Sequence, residues 1–150
     1  MKFFVTSDAD EETGLHELVY EINRQPMDGF FLDRFYDDSF VGLCLVLMCR
    51  DLASNYKQRI RFRKNKNVLY IDIMCDWDVM VLSGPEARRR IVAEKIVAEV
   101  PQIIAQYKSK AKYGFKNFDL ARFTWDLREW FEANSWLKPS SPETIRTSFS

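Results

Sequence analysis

Apolar positions along this chain follow two rhythms and one unbroken run, and each predicts a different element. The opening MKFFVT is short and rich in strand formers, which predicts a strand at the edge or the centre of a sheet. Ser7, Asp8 and Asp10 then offer N-cap oxygens. Leu15, Leu18, Val19 and Ile22 recur at helical spacing, so one amphipathic helix is expected from about Glu11 to Arg24, ended by QPMDG. FFLDRFYDDSF at 30–40 is ambiguous: Phe31, Phe35 and Tyr36 either line a short helix or sit in an aromatic loop among acids. VGLCLVLMC, from Val41 to Cys49, is continuously apolar and too short for a typical helix, which predicts a strand buried on both faces.

Alternation takes over in YKQRIRFRKNKNVLYIDI and predicts a hairpin. With Asn65 and Lys66 in the turn, Arg63 faces Val68, Phe62 faces Leu69, Ile60 faces Ile71 and Arg59 faces Asp72. One face then collects Ile60, Phe62, Leu69, Ile71 and Ile73, and the other the arginines with Tyr70 and Asp72. Ser83-Gly84-Pro85-Glu86 has capping-box spacing ahead of a long helix whose stripe runs from Ile91 and Val92 to Ile104 and Tyr107. Pro101 lies inside that stripe and is expected to kink or split the helix. Asn117 or Asp119 caps a last helix buried through Leu120, Phe123, Leu127, Trp130 and Phe131. The order predicts an α+β fold: an antiparallel or mixed sheet of about four strands packed against about three helices. A single domain is expected over 1–134, followed by a loosely ordered tail, 135–150.

Composition narrows the function classes. A chain of 150 residues, 47% apolar and 15% aromatic, has the material for a core without metal or disulfide staples. Its longest apolar run is far too short to span a bilayer, and MKFFVTSDAD lacks a signal-peptide pattern, so a cytoplasmic protein without membrane attachment is expected. Cys44, Cys49 and Cys75 show no CxxC pairing and read as buried thiols in a reducing compartment. Net charge is zero but unevenly spread. Residues 1–40 hold ten acids against three bases, a charge of −7, and residues 41–150 hold twelve acids against nineteen bases, a charge of +7.

Motifs for chemistry are sparse. Lys57, Arg59, Arg61 and Arg63 alternate and are followed by Lys64 and Lys66, a stripe that is either the solvated face of a hairpin, a protein contact or a track for phosphates. Asp72, Asp76 and Asp78 partly neutralise it, and Tyr70 is its only base-stacking aromatic. His16, the only histidine, reads as a partly exposed helical side chain, because no Gly-flanked Ser or Cys elbow accompanies it. Asp76-Trp77-Asp78 is a DxD; on a strand both acids point to one side, which suits a divalent cation weakly and plain strand geometry better. No phosphate-binding glycine motif occurs. Arg88-Arg89-Arg90 opens a helix at the end its dipole disfavours; the run is either held by acids or a partner nearby or, as is expected first, a solvated face. The acids from Asp28 to Asp38, interleaved with Phe30, Phe31, Phe35 and Tyr36, fit either a solvated loop or a binding surface for a basic protein.

Several of these segments together resemble the immunity-protein 44 family of bacterial polymorphic-toxin and contact-dependent inhibition systems. They are the MKFF strand with its acid-rich helix, VGLCLVLMC, YKQRIRFRKNKN before LYIDI, the helix EARRRIVAEKIVAEVPQIIAQYK, and KNFDLARFTWDL. The resemblance implies a small cytoplasmic protein that binds the C-terminal effector domain of a cognate toxin, often a nuclease, and blocks it. It implies no catalysis and no catalytic residue; from the residues themselves no cofactor and no metal are expected. Expected toxin-binding residues are Glu11, Glu12, Asp33, Tyr36, Asp37, Asp38, Asp76 and Asp78. The alternative is a nucleic-acid-binding module using the basic strand 57–66.

Overall fold

The computed structural model describes residues 2–24, 31, 42–49, 60–63, 68–110 and 118–139. The elements in order are β1 (Lys2–Ala9), a 3-10 turn (Glu11–Thr13), α1 (Leu15–Arg24), β2 (Gly42–Cys49), β3 (Ile60–Arg63), β4 (Val68–Met74), α2 (Trp77–Leu82), α3 (Pro85–Lys110) and α4 (Leu120–Ala133).

The strands form one sheet in the order β1-β2-β4-β3. β1 pairs with β2, and β2 with β4, both parallel, with Phe3 opposite Leu43 and Leu43 opposite Leu69. This corrects the expected antiparallel or mixed sheet of about four strands. The three long strands are all parallel, and antiparallel pairing among the described residues is confined to the four-residue β3. The described helices number four, α1 to α4, rather than about three. The physical reason is the connections. A helical crossover from β1 returns the chain to the end where it began, so β2 must run parallel to β1. β3 then runs back at the far edge, and β4 enters between β3 and β2. The hairpin register agrees with the alternation: Ile60 faces Ile71, Phe62 faces Leu69 and Arg63 faces Val68. Arg59 and the turn residues lie outside the described residues.

Alternate positions divide the sheet. Phe3 and Val5, Leu43, Leu45 and Leu47, and Leu69, Ile71 and Ile73 face the helices and join one buried core. The helices contribute Leu15, Leu18 and Ile22 of α1, Val92, Ile96, Val100 and Ile104 of α3, and Phe123, Leu127, Trp130 and Phe131 of α4. On the other face Cys44, Met48 and Asp72 are buried, and Phe4, Val46 and Tyr70 are half-buried. β2 is therefore covered on both sides, as its continuous apolar run predicts.

Three local corrections have simple causes. The single helix expected from Glu11 begins instead at Leu15, because Gly14 adopts φ 71°, a left-handed conformation that ends the 3-10 turn. Thr13 bridges the break: its hydroxyl donates to the Asp10 carbonyl at 2.6 Å and accepts from the Leu15 N–H at 3.4 Å. The expected capping box at Ser83 does not form. Ser83 ends α2, its hydroxyl donating to the Val79 carbonyl at 2.6 Å, and Pro85 opens α3 at the first helical position, where a missing N–H costs nothing. Pro101 does not split the helix, since α3 runs unbroken from Pro85 to Lys110. Ile103 and Ile104 beyond it are buried in the core, and that packing outweighs one lost backbone bond.

α1 lies along the outer edge of β1 and satisfies its backbone. Asn23 donates to the Val5 carbonyl at 2.8 Å and accepts from the Val5 N–H at 3.4 Å. Packing also continues past α4. Asn134 closes the helix, and Trp136 turns back at 4% exposure against Phe131 and Trp130, with ring centroids 5.7 and 6.4 Å away.

Candidate functional site

All three parallel strands end on the same side, and acids following two of them lie there. β1 ends at Ala9, followed by Asp10, Glu11 and Glu12; β4 ends at Met74, followed by Cys75, Asp76 and Asp78. Two hydrogen bonds close this edge across the strands: the Asp10 N–H donates to the Cys49 carbonyl at 2.9 Å, and the Cys75 N–H to the Met48 carbonyl at 2.8 Å. The carboxyl ends of parallel strands are where α/β sheets commonly place binding residues.

The thiols report the local field. Burial first, and then the carboxylates of Asp76 and Asp10, together push Cys49 up from its ordinary 9.0 to about 11. Acids from two separate strand ends thus converge on the end of β2. Burial likewise raises Cys75 to about 12, with Cys49 next in importance. Both thiols are buried and stay protonated at neutral pH, so they act as packing groups rather than nucleophiles.

Asp76 departs from the expected strand geometry. It is the N-cap of α2, its Oδ1 accepting from the Val79 N–H at 3.0 Å, and Asp78 lies in the first helical turn. The two acids therefore do not point together from a strand, and one carboxylate is already engaged by the backbone. Among the described residues no group of three or more His, Cys, Asp or Glu is arranged to hold a metal ion.

Arg88 holds the edge together. Its Nε donates to the Met80 carbonyl at 2.7 Å, and its Nη2 to the carbonyls of Val81 at 3.3 Å and Glu12 at 3.0 Å. Met80 and Val81 lie in the last turn of α2, where helical carbonyls lack partners and carry partial negative charge. The arginine run is misplaced for α3 but well placed for the helix before it. The guanidinium also fills the space beside Gly14 that a Cβ would need, so a side chain at 14 would displace the arginine as well as strain the backbone. Arg89 pairs with Glu21 of α1 at 3.0 Å, and Arg90 is exposed.

The exposed side of α2 carries Asp78, Val79 and Leu82, with Val79 46% and Leu82 86% exposed. Spacings of three and four residues put these side chains on one helical face. α2 packs against the 3-10 turn that carries Glu11 and Glu12, both exposed. The structure therefore unites Glu11, Glu12, Asp76 and Asp78 of the expected site. Asp33, Tyr36, Asp37 and Asp38 lie outside the described residues. The apolar pair Val79 and Leu82 was missed by the sequence reasoning. The signal available was an N-cap aspartate followed by six residues before a Ser-Gly-Pro stop.

His16 accepts the Ser7 hydroxyl at Nδ1, 2.6 Å away, while Nε2 donates to the Ala9 carbonyl at 3.1 Å. The spacing of a Ser–His pair is present. Its second nitrogen is spent on a backbone carbonyl, and the ring ties α1 to the end of β1 as Asn23 ties its middle. Between α3 and α4, two adjoining hollows of about 610 and 680 Å³ share Arg90, Leu137 and Lys138. Of the other cations there, Arg128 pairs with Glu132 and Arg89 with Glu21, which leaves a surface of mixed charge.

The sheet carries its described helices α1, α3 and α4 on one face and ends in an acidic edge with a small apolar centre. The chain belongs to the Immunity protein 44 family, whose sequence profile it matches over residues 1–133. No curated protein and no solved structure matches it.

Proposed function

We propose that this chain is a cytoplasmic immunity protein that binds the C-terminal effector domain of a cognate bacterial toxin and silences it by occupancy, without chemistry. The observation that carries this reading is membership of an immunity-protein family across nearly all of the described fold. The acidic edge supports it, because effectors that act on nucleic acid present basic surfaces, and opposite charge accelerates encounter. Glu11, Glu12, Asp76 and Asp78 supply the negative field. Asp33, Tyr36, Asp37 and Asp38 are proposed as further contacts.

The test is co-expression with the toxin domain encoded beside this chain, followed by titration of the two purified proteins. Growth rescue together with saturation at one chain per toxin is the expected result. Rescue at substoichiometric amounts, or turnover of the toxin's substrate or of the toxin itself, would point to an enzyme instead. The rival reading, a nucleic-acid module on strand 57–66, predicts salt-dependent binding of DNA or RNA by the free chain. No binding at low ionic strength removes it.

A further inference from the structure

The immunity reading leaves open which surface meets the toxin, and α2 narrows the choice. An aliphatic side chain as exposed as Leu82 gains nothing from its own fold: it is 86% exposed, with the 46% exposed Val79 one helical turn away. Acids surround the pair, Asp78 on the same helical face and Glu11 and Glu12 on the turn packed against it. An apolar centre inside a charged rim is the general anatomy of a protein interface. Arg88 fixes the arrangement, because one nitrogen of its guanidinium donates to both the Val81 and Glu12 carbonyls and so holds rim and centre in one register.

We propose that the Asp78–Val79–Leu82 face of α2, set beside Glu11 and Glu12 by Arg88, is the docking surface for a basic segment of the toxin domain that presents an apolar side chain among its lysines and arginines. This rests on the immunity reading and adds to it a location and a division of labour. The acids set the encounter and its salt dependence, and the aliphatic pair sets the lifetime of the complex.

Calorimetric titration against the adjacently encoded toxin domain, at several salt concentrations, tests both parts. Leu82→Ala is expected to weaken binding about tenfold while leaving the salt slope unchanged. Asp78→Lys with Glu12→Lys is expected to weaken it tenfold or more at low salt and to flatten the slope. These side chains are exposed, so melting temperature should stay close to that of the parent and loss of binding cannot be assigned to unfolding. Parent chain that binds while Leu82→Lys also binds within twofold overturns the docking surface and spares the immunity reading. Parent chain that does not bind overturns both. A parent dimer that Leu82→Lys converts to monomer assigns the face to a second copy and likewise overturns the proposal.

Discussion

The aromatic layer under α4 and the acidic edge at the strand ends are held by different physics. Under α4, Phe3 stacks on Phe31 at 4.6 Å, Phe123 meets Phe31 and Phe118 at 5.8 and 5.4 Å, and Trp130 meets Phe131 edge-on at 5.0 Å. Many nondirectional contacts share the load there, and each ring contributes by the area it hides. At the edge, one guanidinium, one capping carboxylate and one left-handed glycine fix the geometry through a few directional bonds. The contrast teaches that the core and the proposed docking surface are built by separable means, so substitutions should pull stability and binding apart.

The largest effect belongs to the layer. Phe131→Ala, at a fully buried position, should cost about 3–5 kcal/mol, read as a fall in the denaturation midpoint. Partner affinity should fall only as the folded fraction falls. Arg88→Met comes next. Losing its bonds to the Met80, Val81 and Glu12 carbonyls, of which Met80 keeps only the Ser83 N–H, should cost about 1–3 kcal/mol. Here affinity should fall even where the chain is fully folded, and equal affinity at full folding would break the comparison.

Alkaline titration gives a third measure. Cys49 and Cys75 sit at about 11 and 12 in the folded chain against an ordinary 9.0, so the folded state holds protons that the unfolded state releases. Their contribution is complete below pH 9 and declines as pH rises toward 11 and 12, by about 1.4 kcal/mol per pH unit for each thiol. Cys49→Ala should shallow that decline. A stability profile equally steep in the variant would show that the decline has another source.

The smallest pair sharpens the contrast most. Asp76 caps α2 at the edge and Asp119 caps α4, where its Oδ1 accepts from the Arg122 N–H at 3.1 Å. Replacing either by alanine should cost about 1 kcal/mol. Only Asp76→Ala should also weaken the toxin complex.

How much of this the sequence disclosed depended on the kind of information involved. Periodicity found β2 and the hairpin register, because burying one face fixes parity, and it found most of the core stripes of α1, α3 and α4. Strand direction was harder, since alternation carries no arrow. The helix between β1 and β2 was itself the clue that these strands run parallel. Asp126 escaped notice as a buried residue of α4 because its type argues for solvent. At the edge, single acids were recognisable by charge, and Glu11, Glu12, Asp76 and Asp78 are all exposed there. Their union across the 3-10 turn and α2 depends on Arg88, more than seventy residues from Glu12, and no local pattern announces such a contact.

Gly14 and its arginine have an evolutionary corollary. Because a backbone kink and a half-buried guanidinium fix the shape of the edge, the outward side chains at 11, 12, 78, 79 and 82 are free to be exchanged without refolding the sheet beneath. On the proposed docking reading, a lineage facing a new adversary need only redecorate this platform, a handful of codons at a time.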